Sequence, residues 1–126
     1  MERRVLIVDD EPDMGRLMDA GLRAVGIDTR LSQAPEEALG LVAAEEFDAV
    51  LTDLQMPGMS GLELCERIVA QRPDIPVVVV TGHGTLEAAI GAIRAGAYDF
   101  VQKPIKVEAL QLTVERALRH HALAAE

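Results

Sequence analysis

Side chains that could do chemistry together stand at separated places in this sequence. Asp9, Asp10 and Glu11 form an acidic run, and Asp53 stands alone after an apolar segment. Clustered carboxylates raise each other's pKa values unless a cation neutralises them. Two or three carboxylates suit Mg²⁺, a hard ion that takes few protein ligands and completes its shell with water and phosphate oxygens. The acids therefore predict a magnesium site, provided that the fold brings them together.

Thr81 and Lys103 add groups that suit a phosphoryl ligand. A lysine supplies a point charge, and a threonine hydroxyl donates to a phosphoryl oxygen. A carboxylate can also accept a phosphoryl group and form an aspartyl phosphate. A metal, a lysine and a carboxylate nucleophile together make a phosphoryl-transfer site. Taken alone, Asp53 is better explained as a cap and Thr81 as a plain strand-end residue, so the hypothesis depends on their convergence.

Short apolar runs and amphipathic stretches alternate along the chain. The runs at 5–8, 49–52 and 77–80 are too short for most helices and are typical of strands buried on both faces. Stretches with helical periodicity follow the runs. Pro12 and Pro35 suit first helical turns, and Ser60 with Glu63 matches a capping box. We expect five strands, at residues 4–8, 27–31, 48–52, 76–81 and 97–102.

Five strand–helix units with right-handed crossovers leave few topologies. We predict an α/β fold, a (βα)5 doubly wound parallel sheet with the flavodoxin-like strand order 2-1-3-4-5. Such sheets bind ligands beyond the carboxyl ends of their strands, at the switch between strands 1 and 3. Strands 1, 3, 4 and 5 are neighbours in this order, so the acids, Thr81 and Lys103 should share one pocket.

Composition limits the class of protein. The 126 residues fit one domain, residues 1–126, with a net charge of −9 that argues against binding nucleic acid or an anionic membrane. No apolar run approaches the roughly 20 residues of a membrane helix, and no signal peptide is visible. Cys65, the single cysteine, excludes an intramolecular disulfide, fits a reducing cytoplasm and is expected in the core.

The acids, Thr81 and Lys103, with the segments that flank them, resemble the receiver domain of two-component response regulators. The resemblance covers essentially the whole chain and is carried by VDDE at 8–11, TDLQMPGMSG at 52–61, TG at 81–82 and KP at 103–104. The intervals of 43 residues from Asp10 to Asp53, 28 to Thr81 and 22 to Lys103 are similar to those of the family. The resemblance implies a regulatory phosphoacceptor in the cytoplasm, which takes part in its own phosphorylation and slow dephosphorylation without being a conventional enzyme.

The resemblance also implies a role for each acid. Asp53 would be the phosphoacceptor. Asp10 and Asp53 would bind Mg²⁺ directly, together with the backbone carbonyl of Gln55, and Asp9 would act through water.

Further roles are implied beyond the acids. Thr81 and Lys103 would hold the phosphoryl oxygens, and the peptide bond between Lys103 and Pro104 would be cis. Thr81 and Phe100 would form the conformational switch, and His83 would tune dephosphorylation.

The segments at 81–85 and 96–104 are similar, more specifically, to receivers of σ54-dependent transcriptional activators. Such proteins continue into an ATPase domain and a helix-turn-helix, so we expect an excised amino-terminal receiver or a stand-alone one. The implied phosphodonor is a sensor histidine kinase. An output domain or a second receiver would bind the face built by the fourth helix, the fifth strand and the fifth helix. This face carries Ile90, Ile93, Arg94, Tyr98 and the helix from Lys106 to about His120, with His120 and His121 expected as surface groups.

Other functions on a similar fold fit these residues less well. A phosphatase of the haloacid-dehalogenase type needs a second acid two residues after its nucleophile, where this chain has Gln55. A flavodoxin-like flavin carrier needs a Ser/Thr/Gly-rich loop after the first strand, and an aromatic content of 2% leaves little to stack on a flavin. The intact acid–threonine–lysine set argues against a degenerate receiver that acts as a scaffold.

Overall fold

The computed structural model describes residues 3–82 and 86–124 as a five-stranded parallel sheet with helices on both faces. The strands are β1 (Arg4–Val8), β2 (Asp28–Ser32), β3 (Ala49–Asp53), β4 (Val77–Thr81) and β5 (Asp99–Gln102). The helices are α1 (Pro12–Arg23), α2 (Pro35–Ala44), α3 (Gly61–Gln71), α4 (Leu86–Arg94) and α5 (Val107–Ala124). The strand order is β2-β1-β3-β4-β5, and every pair is parallel. The predicted fold class and strand order are confirmed.

The sheet divides the core into two layers because successive side chains of a strand point to opposite faces. In β1, Val5 and Ile7 pack in the layer formed with α1 and α5. Leu6 and Val8 pack in the other layer, formed with α2, α3 and part of α4. Cys65 is buried in this second layer, as predicted. Both faces of the central strands are thus covered, which explains their unbroken apolar runs.

Two predicted strand starts are wrong because the residues concerned end helices. Ile27 donates its backbone N–H to the carbonyl of Leu22 at 3.1 Å, across Gly26 with a φ of 81°. Gly96 has a φ of 102°, and Ala97 donates to the carbonyl five residues earlier at 3.0 Å. A left-handed glycine followed by such a bond is the Schellman motif, which satisfies helix carbonyls and buries the next apolar residue. The strands that follow therefore begin later than predicted, at Asp28 and Asp99.

The carboxyl end of β3 and the start of β4 each differ from the prediction by one residue. Pro76 has no N–H to give to the sheet, and β4 begins after it. β3 continues through Asp53 because the next residue, Leu54, still donates to the carbonyl of Val80 at 3.1 Å. Asp53 is therefore the last residue of the strand instead of the first residue after it.

The helix starts follow the sequence signals closely. Pro12 and Pro35 lie in the first turns of α1 and α2, as predicted. Ser60 caps α3, and its side chain accepts the backbone N–H of Glu63 at 3.2 Å. Only this half of the predicted capping box is observed, because the Glu63 carboxylate lies 3.4 Å from the guanidinium of Arg67 one turn later.

This topology places the carboxyl ends of β1, β3, β4 and β5 side by side. His83, which is predicted to tune dephosphorylation, lies outside the described residues. Among the helices in the described ranges, none combines the length and apolar character needed to cross a bilayer.

Candidate functional site

Three carboxylates meet where β1 and β3 end. One oxygen atom from each of Asp9, Asp10 and Asp53 lies within 4.8 Å of the other two. Asp9 and Asp53 are each only 2% exposed, and Asp10 is half-buried. The pairing of β1 with β3 causes this convergence, because it aligns the two strands and brings their carboxyl ends together.

Lys103 is the cation that faces this cluster. Its Nζ lies 3.2 Å from Oδ2 of Asp53. Its backbone N–H donates to the carbonyl of Thr81 at 2.8 Å, which fixes the end of β5 against the end of β4. Thr81 is itself buried, at 1% exposure. The peptide bond between Lys103 and Pro104 is cis, as predicted.

Asp53 is held through its backbone and both carboxylate oxygens. Oδ1 accepts the backbone N–H of Gln55 at 3.4 Å, while Oδ2 faces Lys103. The backbone carbonyl of Asp53 accepts the hydroxyl of Thr52 at 3.0 Å. Gln55 thus lies in the loop directly beside the nucleophile candidate. The role predicted for its carbonyl stays a prediction.

Asp9 is less well satisfied than its neighbours. Its Oδ1 accepts the backbone N–H of Glu11 at 2.9 Å, and its own N–H donates to the carbonyl of Ser32 at 3.0 Å. Its Oδ2 is buried without a hydrogen-bond partner among the described residues. Burial raises the pKa of Asp9 from 3.8 to about 6, against the lowering effect of the Glu11 N–H, and the charge of Asp53 raises it further.

The acid cluster fits a divalent cation. Each of its three carboxylates offers an oxygen to the same small volume, and hard cations such as Mg²⁺ bind such oxygens. The unpartnered Oδ2 of Asp9 is an acceptor for which the described protein groups supply no donor. A cation or its water would supply that missing partner.

Gly61, the first residue of α3, makes a close approach that the sequence reasoning missed. A Cβ atom there would lie 2.1 Å from the carbonyl oxygen of Asp53 and 2.5 Å from Cα of Leu54. The N–H of Gly61 donates to the carbonyl of Leu54 at 2.9 Å and closes the intervening loop. Met59 is buried in the core at 7% exposure and anchors the same loop from inside. The sequence signal was a glycine directly after the capping serine.

Phe100 lies in β5, the strand next to β4, which ends at Thr81. It is half-buried and packs against the core layer that contains Val79. The register of the sheet pairs it with Val79, which stands two residues before Thr81 in β4. Thr81 and Phe100 therefore face the same side of the sheet.

The predicted output face has exposed apolar side chains. Ile90 and Ile93 of α4 are 42% and 48% exposed, and Tyr98 before β5 is 36% exposed. Tyr98 lies against the ring of His120, with 4.9 Å between ring centroids.

The expectation that both histidines of α5 are surface groups is wrong for His121. His120 is exposed, but the side chain of His121 is only 16% exposed and contacts Asp48 and Asp74. The sequence held a signal, because His121 follows Leu118 by three residues and so continues the buried stripe of α5.

Fold and site together define a flavodoxin-like α/β domain whose strand ends carry three acids, a threonine and a lysine. The family model described as response regulator receiver domain matches residues 5–115, and this chain belongs to that family. It is thus a receiver domain of two-component signal transduction with a regulatory role.

Curated relatives agree with this assignment. The chain is 43% identical over 117 residues to the response regulator protein PilR of Pseudomonas aeruginosa, covering 93% of this chain and 26% of that protein. It is 39% identical over 120 residues to the nitrogen assimilation regulatory protein NtrX of Azorhizobium caulinodans, covering 94% of this chain and 26% of that protein. The chain therefore spans about a quarter of the length of these relatives.

Solved structures give the same result. NtrX from Brucella abortus, in complex with ADP, superposes with a TM-score of 0.93 and 38% identity, over 99% of this chain and 29% of that one. A CheY-like receiver domain protein from Methanospirillum hungatei superposes with a TM-score of 0.91 and 27% identity, over 98% of this chain and 99% of that one.

The contact between Gly61 and the backbone of Asp53 predicts a large effect from one methyl group. We expect Gly61→Ala to lower the free energy of unfolding by about 2 kcal/mol or more, because backbone atoms must move. Gly40→Ala is the matched control: it lies in α2 with no atom within 4 Å of the added Cβ. The control should raise stability by about 0.5–1 kcal/mol. Urea denaturation measures both, and equal stabilities would contradict the close approach.

The raised pKa of Asp9 predicts a pH-dependent stability of the metal-free protein. The folded state binds this proton more tightly than the unfolded chain does, so Asp9 lowers the free energy of unfolding as the pH rises from about 4 to about 6. In EDTA, the free energy of unfolding of Asp9→Asn should exceed that of the wild type by about 2–3 kcal/mol at pH 7.5. Near pH 4, the two free energies of unfolding should be similar. Thermal denaturation at both pH values measures the difference. Asp13→Asn, at an exposed acid of α1, is the control for the loss of one negative charge, and a constant offset for Asp9→Asn would refute the interpretation.

Proposed function

We propose that this receiver domain accepts a phosphoryl group on Asp53 from a sensor histidine kinase. The observation that carries the proposal is the position of the Lys103 ammonium, 3.2 Å from a carboxylate oxygen of Asp53 beside two further acids. In a phosphoryl transfer, a carboxylate oxygen of Asp53 forms a bond to phosphorus while the bond to the donor's leaving atom breaks. Positioning and charge neutralisation supply most of the rate of such a step.

Two side chains of neighbouring strands would hold the transferred group. Lys103 already pairs with Asp53 and would turn its charge to a phosphoryl oxygen. Thr81, fixed through its carbonyl by the backbone of Lys103, would donate its hydroxyl to a second oxygen. Asp53 itself keeps its backbone bonds, so only side chains need to rearrange.

Receiver domains bind Mg²⁺ through acidic residues, and this chain has a fitting acid cluster. We assign direct contacts to the carboxylates of Asp10 and Asp53 and to the backbone carbonyl of Gln55. Asp9 would act through a bound water, which matches its unpartnered Oδ2. When bound, the ion offsets the negative charges of the carboxylates and of the phosphoryl group.

The site supports self-limited regulation better than catalytic turnover. Gln55 stands two residues after Asp53, where a phosphatase of the haloacid-dehalogenase type has an acid, and its backbone N–H donates to Asp53 Oδ1. A glutamine side chain cannot protonate a leaving group, so we propose slow hydrolysis of the phosphorylated domain without turnover of external esters. We take residues 1–126 as one receiver domain that acts in the cytoplasm, where its kinase would present the phosphoryl group.

We propose an output through the face of α4, β5 and α5. A phosphoryl group adds up to two negative charges and three acceptor oxygens beside Thr81. Movement of Thr81 toward it would free space that Phe100, on the same side of the sheet, can fill by a change of rotamer. The exposed Ile90, Ile93 and Tyr98 would then present a different surface to an output domain or a second receiver.

Transcription is the proposed end point of the pathway. Relatives that match over nearly this whole chain include the DNA-binding transcriptional regulator NtrC of Escherichia coli, at 33% identity over 26% of that protein. With its net charge of −9, this domain would leave DNA binding to a separate effector.

The proposed phosphoacceptor predicts a mass change. With Mg²⁺ and acetyl phosphate, the intact mass should rise by one phosphoryl group, and Asp53→Asn should abolish that rise. Asp13→Asn is the matched control, an exposed acid on α1 that should label like the wild type. Omission of Mg²⁺ or Asp10→Asn should slow labelling at least tenfold. Undiminished labelling of Asp53→Asn would disprove the assignment.

The proposed switch predicts a separation of acceptance from response. Thr81→Ala should still accept the phosphoryl group on Asp53 but lose the rearrangement of Phe100, because the moving hydroxyl is gone. Amide NMR shifts with and without beryllofluoride, a phosphoryl mimic, measure this rearrangement. In the wild type, the shifts of residues 86–103 should change, whereas in the variant they should stay close to the free state. Wild-type changes restricted to the loops after β1 and β3 would rule out this switch.

A further inference from the structure

The last turn of α5 lies beyond the apolar packing of the domain. Among the residues of α5 whose exposure is described, which run to residue 123, Leu118 is the last buried one, at 3% exposure. Of residues 119–123, all are exposed except His121, and Leu123 is 65% exposed. Within residues 119–123, His121 is therefore the one side chain that is half-buried.

His121 contacts two loops at the amino-terminal ends of β3 and β4, at the opposite end of the sheet from the proposed phosphoacceptor. Its Nδ1 lies 2.8 Å from the backbone carbonyl oxygen of Asp74, in the loop between α3 and β4. Its Nε2 lies 3.3 Å from a carboxylate oxygen of Asp48, in the loop before β3. Both ring nitrogens thus face oxygen acceptors. An imidazole ring donates to two acceptors only when both nitrogens carry protons.

The charged groups around the ring are fixed by other partners. Oδ2 of Asp48 accepts the backbone N–H of Arg4 at 2.8 Å. The carboxylate of Asp74 pairs with Arg72 at 3.1 Å, and this bond lowers the pKa of Asp74. Arg72 also lies 3.4 Å from Glu46. The acceptors that face His121 are therefore held in place, so the number of protons on the ring decides how many bonds it can donate.

We propose that His121 is a proton-dependent clasp that fixes the end of α5 to the α2–β3 and α3–β4 loops. The doubly protonated ring donates to both loops. After loss of one proton, one ring nitrogen presents a lone pair to an acceptor, and the contact on that side is broken. Histidine is the side chain whose ordinary chemistry makes it a proton-dependent switch, so pH is the variable that tests the clasp.

This clasp is independent of the proposed phosphoacceptor function. It lies at the amino-terminal ends of β3 and β4, whereas Asp53 and Thr81 lie at their carboxyl-terminal ends. α5 is also one wall of the proposed output face. The clasp would thus give the domain a second input, proton concentration, that acts on the rigidity of that wall.

Amide hydrogen exchange measured by NMR at pH 5.5 and pH 8.0 tests the clasp. After correction for the intrinsic exchange rates, the protection factors of amides 120–124 should be about two- to fivefold higher at pH 5.5, the range of a partly exposed ion pair. His121→Gln should remove this pH dependence. His120→Gln is the matched control, because it removes the adjacent imidazole, which stacks on Tyr98, and should leave the dependence intact.

A second variant addresses the partner of the ring. Asp48→Asn removes the negative charge but keeps an oxygen for the Arg4 N–H, and it should reduce the pH dependence at least twofold. The proposal is overturned if wild-type protection at 120–124 is the same at both pH values, or if the difference persists in His121→Gln. Since neither outcome involves phosphorylation, failure of the clasp would be distinct from failure of the phosphoacceptor assignment.

Discussion

The burial of carboxylates beside one another at the ends of β1 and β3 is the constraint on which the rest of this structure depends. Asp9 and Asp53 are almost fully buried with Asp10 beside them, and Lys103 is the one cation that pairs with the cluster among the described residues. Proteins rarely bury groups of like charge unless a counter-charge or a bound ion compensates them, because each buried charge loses its hydration. The raised pKa of Asp9, caused mainly by burial, and its unpartnered oxygen agree with such a cost. The sheet must be strong enough to hold these groups together, and its unbroken apolar strands supply that strength.

The structure holds the site through backbone contacts more than through side chains. Ser32 fixes the backbone of Asp9, Lys103 fixes that of Thr81, and the backbone of Gly61 lies close to that of Asp53 and donates to the carbonyl of Leu54. Backbone contacts of this kind do not depend on the protonation or metal state of the acids. The geometry is therefore set before any ligand arrives, which is the condition for catalysis by positioning.

The sequence was sufficient to predict the strand order and which side chains meet at the strand ends, and the reasons are local. Runs such as 77–80 are too short for most helices, and the strand order follows from the alternation of strands and helices. The wrong strand starts have a local cause: Ile27 and Ala97 are apolar like strand residues, but their backbone N–H groups donate to helix carbonyls five residues earlier. The close approach at Gly61 depends on how the short loop after Asp53 closes, for which the sequence showed only a glycine after the capping serine. The contacts of His121 with Asp48 and Asp74 join segments far apart in the chain, and the helical stripe that ends in His121 does not identify those partners.

The membership of Asp53 in β3 has a mechanical consequence. Its neighbour Leu54 is bonded to β4, and its own carbonyl is bonded to Thr52, so its backbone is as stiff as the centre of the sheet. A charge added to the side chain of Asp53 would not be accommodated by movement of this backbone. Neighbouring side chains would have to move instead. In the proposed switch, the groups that move are the side chains of Thr81 and Phe100, on β4 and β5. For the proposed phosphorylation of Asp53, a stiff acceptor and moving side chains one strand away would give the signal a direction, from the centre of the sheet toward its β5 edge.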